Sequence, residues 1–397
     1  MRILSRHNVN VGFQDLARAL KEARQRPEQE VLETFERQFA DYLGTDHAVA
    51  TGNGRSALYL ALKALDLPKG TPVGVPAYAF YAIPAVVEAL GLRPIHVPMD
   101  METYAIDATK LDAALPEHTG ALVIIQPFGQ SADMDAVLDV CDRRGIPLIE
   151  DASQSIGAAY RERKLGTFGV AGVFSLVPGK NMTAGGGGML VTSDALIARR
   201  AREILERSGA PPARTRPVLS VGAQRLLTSR TGFALALFPA FLALSTLAPE
   251  RLDKIFEEAQ VPFDPAIHLT RMTACQAAIG RTQLAHLDRL NDIRRRNAEA
   301  LLACLRGTPG IQSPRVVRYC SPTFNAFPIR VEGAREVRRA LLRHGIDTRE
   351  DYMRWFDGTR SKRDEVLYLP NHPGLTSADM VHVANTLRRI MEARNRR

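Results

Sequence analysis

The residue most able to do chemistry is Lys180, in "FSLVPGKNMTAGGGG" at 174–188, with Gly185, Gly186, Gly187 and Gly188 just beyond it. A lysine beside glycines suggests a phosphate, but a nucleotide loop of the form G-x-x-x-x-G-K-[ST] fails twice here. The position five before Gly179 is Phe174, and Asn181 comes after the lysine. What remains is the amine itself. A lysine held in place and able to lose its proton forms a Schiff base with a carbonyl. The glycine run then reads as a tight turn, where backbone passes close to something else.

A Schiff-base lysine needs a carbonyl partner, and pyridoxal 5'-phosphate (PLP) is one. That cofactor also requires a carboxylate at its pyridine nitrogen and a cup for its phosphate. Asp151, at the carboxyl end of the apolar run "IPLIED", is the candidate carboxylate, since reactive groups of α/β sheets gather at such strand ends. A plain helix cap is the other reading of that aspartate. The candidate cup is "TGNGRSAL" at 51–58, where a helix start offers free N–H groups and a positive dipole end, with Gly54, Arg55 and Ser56 as contacts. A simple capped turn is the alternative there.

Elements must hold these groups together. The spacing predicts a helix at 56–66, a strand at 71–77, a helix at 81–91, strands at 93–100 and 121–127, a helix at 134–145 and a buried strand at 146–151. Two more strands come next, "GVAGVFSL" and "GGMLVTSD". The alternation predicts an α/β fold with a largely parallel sheet covered by helices on both faces. Sequence rich in helix and arginine then runs to 307, and residues 308–397 read as a smaller α/β unit. We divide the chain into a large domain, 1–300, and a small C-terminal domain, 301–397.

With 397 residues, 45% apolar and 24% charged, the chain has material for a large core. Cys141, Cys275, Cys304 and Cys320 are scattered, which predicts reduced thiols and no metal site. The N-terminal residues lack an apolar run of signal-peptide length, so a cytoplasmic location is expected. The net charge is +9, with arginine runs at 294–296 and near the end. These are solvated helix faces, or they meet an anionic substrate or an anionic membrane surface. No aromatic-basic stripe points to nucleic acid. One stretch stands apart. "TGFALALFPAFLALSTLAP" at 231–249 carries no charge, Arg225 and Arg230 precede it, and Pro239 interrupts its middle. It reads as a buried helical pair at a subunit interface, a patch dipping into a membrane, or a true span.

Taken in order, "TGNGRSALYLALKAL", "VPAYAFYAIPAVVEALG", "FGQSADMDAV", "IEDASQSIGA", "FSLVPGKNMTAGGGGMLVTSD", "RMTACQAAIGRTQLAHLDRLNDIRRRNAEAL" and "LPNHPGLTSADM" resemble the DegT/StrS-type PLP-dependent sugar aminotransferases. The resemblance implies fold type I: a large PLP-dependent transferase domain with a mostly parallel seven-stranded sheet, plus a smaller C-terminal α/β domain. It makes Lys180 the Schiff-base lysine and acid/base, with Asp151 at the pyridine nitrogen. Gln154 would reach the ring hydroxyl, Phe80 would stack on the ring, and Ser175 with Gly54–Ser56 would hold the phosphate. It also implies a homodimer with shared active sites, in which "HLTRM" at 268–272 faces the partner's cofactor. The implied activity moves an amino group, from glutamate, to a keto-sugar on a nucleotide, in surface polysaccharide or secondary-metabolite synthesis. A membrane-associated enzyme acting on a lipid-linked or other non-sugar carbonyl, and a non-catalytic regulator, are the alternatives. Against the family pattern, Gln126 stands for a histidine, Gly186 for a glutamate, Leu269 for an asparagine and Arg55 for a threonine or serine. Residues 210–266, which hold the apolar stretch, form an insertion.

Overall fold

A computed structural model describes residues 2–209, 211–212, 217–248, 262–356 and 365–396. Of the expected insertion, residues 210, 213–216 and 249–261 lie outside the described residues.

Seven strands make the central sheet: β1 (His47–Thr51), β2 (Pro72–Pro76), β3 (Arg93–Val97), β4 (Ala121–Ile125), β5 (Leu148–Asp151), β6 (Ala171–Ser175) and β7 (Gly188–Thr192). Their order is β1-β7-β6-β5-β4-β2-β3. Within it only β7 runs against the rest, pairing antiparallel with both β1 and β6. The strands are short apolar runs because both faces are covered. Val49, Ile149, Val173 and Leu190 pack on one side. Ala48, Ala50, Phe174 and Val191 pack on the other, beneath α1 (Phe13–Gln25) and α2 (Glu28–Leu43).

The register brings the chemistry to one edge. Asp151, the last residue of β5, lies opposite Ile125, the last residue of β4, and opposite Val173, two residues before the end of β6. Gly188, the first residue of β7, lies opposite both Ser175 and Thr51. Five strands therefore release their loops around one point, where α/β sheets place ligands. From Thr51 the chain turns into α3 (Gly54–Ala64).

The smaller unit is a four-stranded antiparallel sheet, β8 (Ile311–Gln312), β9 (Phe327–Val331), β10 (Arg349–Glu350) and β11 (Val366–Leu369), in the order β8-β9-β11-β10. Two chain segments outside 301–397 help to build it. The helix Leu287–Leu305 buries Leu287 in the large core and Ala298, Leu301 and Leu305 in the small one. Leu4 fills the small core too, its N–H donating to Gly345 O at 2.8 Å and its carbonyl accepting from Asp347 N at 2.9 Å.

The uncharged stretch forms one helix, Arg230–Leu247. Pro239 does not break it. A proline lacks an N–H and crowds the carbonyl four residues back, and a widened π turn at Phe233–Leu237 absorbs the misfit. Phe233 and Phe238 pack on Leu342, yet only 17% of the segment is buried.

Candidate active site

A cavity of about 670 Å³ opens where these strand ends meet, and Lys180, Asp151, Phe80, Gln154, Ser175, Gly54 and Arg55 all line it.

Successive residues of β5 point to opposite faces, so Glu150 and Asp151 part company. Glu150 is fully buried away from the cavity. It accepts from Gln126 Nε2 at 2.8 Å and from the N–H groups of Gly166, Phe168 and Gly169. Burial pushes its carboxyl up and these donors pull it back. Asp151 faces the cavity and its Oδ1 accepts from Ser153 N at 3.0 Å. Burial raises its carboxyl as well, against the Ser153 bonds and the nearby charge of Lys180.

Lys180 closes a turn whose backbone N–H donates to Val177 O at 3.3 Å. The residues just after it are pinned. Asn181 is buried and donates to Asn291 Oδ1 at 3.1 Å, and Thr183 Oγ1 donates to Leu176 O at 3.0 Å. The glycines then do two things. Gly185, Gly186 and Gly187 have φ of +73°, +128° and +97°, which L side chains rarely adopt. Gly188 passes so close to the start of α3 that an added Cβ would stand 2.5 Å from the carbonyl carbon and oxygen of Asn53 and 2.7 Å from Gly54 N.

The start of α3 lies at the cavity wall, where the sequence places the candidate phosphate cup. Asn53 Oδ1 accepts from Ser56 N at 2.9 Å, leaving the first-turn residues Gly54 and Arg55 at the cavity wall. Ser175 sits against Gly54, where an added Cβ would lie 3.0 Å from its own. Ser56 is not brought to the cavity with them. It is fully buried and its hydroxyl donates to His268 O at 2.9 Å. Asn53 Nδ2 donates to the same carbonyl at 2.9 Å, and Gly52 N to Thr270 O at 2.7 Å. The segment 268–270 is thus bound to its own chain's cradle, with Leu269 in the apolar core.

Gln154 holds the opposite wall. Its Oε1 accepts from Phe128 N at 2.9 Å and its Nε2 donates to Tyr352 Oη at 2.8 Å. Phe128 has φ +56°, a strained value for a bulky residue, so the glutamine carboxamide anchors that turn. Phe80 is half-buried, its ring 4.5 Å from Tyr81 and 6.2 Å from Tyr352. Gln126 spends its side chain on scaffolding, donating to Glu150 and accepting from Ala132 N at 3.0 Å.

Sequence reasoning offered the arginine run at 294–296 to an anionic substrate but missed the rest of the outer wall. Arg6, Arg294 and Arg349 line it, with His7 and His372. Arg294 is 5% exposed and donates to Asn291 Oδ1 at 3.1 Å, and burial pulls its guanidinium down to about 10. Burial, then Arg6 and Arg349, hold His7 down at about 4. Burial holds His372 down at about 3. Asn291, Arg294 and Asn297 share one helical face and are all buried, so the arginine run is solvated only in part. That polar stripe was a readable signal.

The residues fit pyridoxal phosphate: a helix start and a serine for the phosphate, a carboxylate for the ring nitrogen, an aromatic ring and an amine within one cavity. Among the described residues no cluster of His, Cys, Asp or Glu is placed to hold a metal ion.

A family model, the DegT/DnrJ/EryC1/StrS aminotransferase family, matches residues 11–233 and 253–388. The dTDP-3-amino-3,4,6-trideoxy-alpha-D-glucose transaminase of Streptomyces venezuelae is 32% identical over 322 residues, 81% of this chain and 72% of that protein. The L-glutamine:scyllo-inosose aminotransferase of Streptomyces griseus is 39% identical over 176 residues, 43% of this chain and 42% of that protein. The crystal structure of S. venezuelae DesV in complex with a ketimine intermediate is similar at a TM-score of 0.72 and 29% identity, covering 95% of this chain and 93% of that one.

Proposed function

The chain belongs to the DegT/DnrJ/EryC1/StrS aminotransferase family and is a PLP-dependent sugar aminotransferase; from that premise we propose that it carries an amino group from glutamate to a keto-sugar borne on a nucleotide. The observation that supports this acceptor is the charge of the cavity. Arg55, Lys180, Arg294 and Arg349 line it together with Arg6, which is paired with the buried Asp347 at 3.4 Å, and among the described lining residues Asp151 is the one carboxylate. Lys180 and Asp151 serve the chemistry, and Arg55 stands at the cradle. Arg6, Arg294 and Arg349 suit a second anion on the outer wall, and guanidinium groups bind diphosphate oxygens strongly. The cavity, about 670 Å³, is within the range of cofactor and small-molecule sites.

Bound there, the cofactor supplies a carbonyl for amine exchange and a ring that takes up electron density. Gly54, Arg55 and Ser175 would hold its phosphate and Phe80 would lie against its ring, while Asp151 would keep the ring nitrogen protonated. Lys180 Nζ, once free as an amine, takes the proton from the donor's carbon and returns one to the acceptor's. A homodimer with shared sites is part of the reading. Ile267, 67% exposed beside the buried Leu269, is an apolar contact available to a second copy.

The test is a spectrum of the purified protein with glutamate, then with glutamine, and after these the turnover of a nucleotide-linked keto-sugar and of the same sugar without phosphate. Glutamate should change the cofactor spectrum, only the phosphate-bearing sugar should turn over well, and Lys180→Ala should abolish turnover. Turnover surviving in Lys180→Ala refutes the catalytic assignment. Equal turnover of the two sugars refutes the acceptor.

A further inference from the structure

The helix Arg230–Leu247 is out of keeping with a water-facing surface. A helix that is apolar on every side belongs in a core or in lipid. Here Phe233, Phe238 and Ser245 are buried, while Leu235 is 77% exposed and Leu247 83%. The preceding helix, Pro217–Thr228, adds Leu219 at 66%, Leu226 at 58% and Leu227 at 42%. Nothing among the described residues covers this surface. The family match runs to residue 233 and resumes at 253, so the insertion is narrower than the expected 210–266: the helix Pro217–Thr228 belongs to the matched part, and residues 234–252 are what the fold shared with relatives does not call for.

We propose that these two helices form a monotopic docking surface for an anionic phospholipid bilayer, at the cytoplasmic face of a membrane. Charge selects this occupant over a second copy. Arg225 and Arg230 stand at the near end of a helix that carries no charge from Thr231 to Leu247, in a chain of net charge +9; Arg230 reaches Asp379 at 3.3 Å while 60% of its side chain stays exposed. Leucines beside arginines match acyl chains beside anionic headgroups, whereas two copies meeting here would bring like charges together. The helix lies on the bilayer and does not cross it. Phe233 and Phe238 hold it to Leu342. Thr228, just before it, accepts from Asn8 Nδ2 at 3.1 Å through its carbonyl and from Val9 N at 3.1 Å through its hydroxyl.

Those bonds also tie the surface to the reaction cavity. Residues 6–8 line the cavity, and the Arg6 guanidinium stands 5.9 Å from the Phe241 ring of the docking helix. One short strip of chain is thus part of the outer wall of the cavity and the bed of the lipid-facing helix. A docked enzyme keeps that wall beside the headgroup plane, where a lipid-borne sugar phosphate would reach it. The docking itself does not depend on which acceptor is aminated.

The experiment is co-sedimentation of the full chain with phosphatidylglycerol/phosphatidylcholine vesicles and with pure phosphatidylcholine vesicles, alongside light scattering without lipid. Leu235→Glu and Leu247→Glu change largely exposed positions and leave the fold intact, which thermal melts verify. The parent should pellet with the anionic vesicles. Each leucine variant should lose roughly tenfold to a hundredfold in partitioning, and Arg225→Glu should lose binding to the anionic vesicles. A parent that stays in the supernatant overturns the proposal. So does a drop in mass, from dimer to monomer, in the leucine variants with vesicle binding unchanged, which would give this face to a second copy.

Discussion

Replacing Gly188 with alanine tests where the phosphate cradle lies. The new Cβ would stand 2.5 Å from Asn53 carbonyl atoms, about 0.9 Å inside the 3.4 Å at which ordinary contact begins. β7 cannot retreat, because Gly188 is paired to Ser175 on one side and Thr51 on the other. The strain therefore falls on the Asn53–Gly54 turn, and the N–H groups of Gly54 and Arg55 lose their aim. Overpacking of this kind costs about 1 to 3 kcal/mol of stability. A misdirected hydrogen bond to a charged group costs about 1.5 to 3 kcal/mol, or roughly tenfold to a hundredfold in PLP affinity. Gly44→Ala is the control. Gly44 has φ +79° with nothing within 4 Å of its added Cβ, so alanine there loses about 1 kcal/mol of stability and nothing of the cradle. Urea unfolding of both variants, with PLP titration by fluorescence, separates the two effects. If Gly188→Ala is destabilised yet binds PLP as tightly as the parent, the phosphate is not held at the start of α3.

Two further outcomes concern the outer wall. His372 is neutral in the folded state, with Nε2–H donating to Ser5 O at 3.0 Å and Nδ1 accepting from Gly374 N at 3.1 Å. Its folded value of about 3 lies below the unfolded 6.5. Between those values only the unfolded chain binds the proton, so stability present above pH 6.5 is lost as the pH falls, by about 2 kcal/mol at pH 5. His372→Gln should flatten the change in urea midpoint between pH 7 and 5, and an unaltered slope would refute the assignment. Arg294→Met should raise KM for the phosphate-bearing acceptor roughly tenfold to a hundredfold and leave the half-reaction with the amino donor at its parental rate. An unchanged acceptor KM would remove Arg294 from the substrate site.

The inner site was legible because its parts are local signals: a capped glycine turn before a helix, an aspartate ending an apolar strand, a lysine before glycines. Each element forms from short-range pattern, and the parallel sheet brings the strand ends together. The outer wall was legible only at Arg294. Arg6, Arg294 and Arg349 come from three distant segments, and periodicity tells which residues share a helix face without telling what that face meets. Ser56 shows the same limit within one motif. It sits beside Gly54 and Arg55 in sequence, but one helical step turns its hydroxyl from the cavity to His268 O. Gln126 differs from the family histidine, yet the structure gives its carboxamide to Glu150 and Ala132, so the change says little about the substrate. Pro239 predicted a break that a single wide turn avoids.

Leu4 completes a core otherwise made from residues 298–391. Its partners lie roughly 300 positions away in the chain, a very long loop to close. The small core is therefore not complete within 301–397, and cutting the chain near residue 300 should not release a stable fragment. Arg6, His7 and Asn8 follow Leu4 closely and line the cavity, so the contact that completes the small core also fixes one wall of the site. A change that loosens Leu4 in its core should therefore weaken ligand binding at that wall as well as stability.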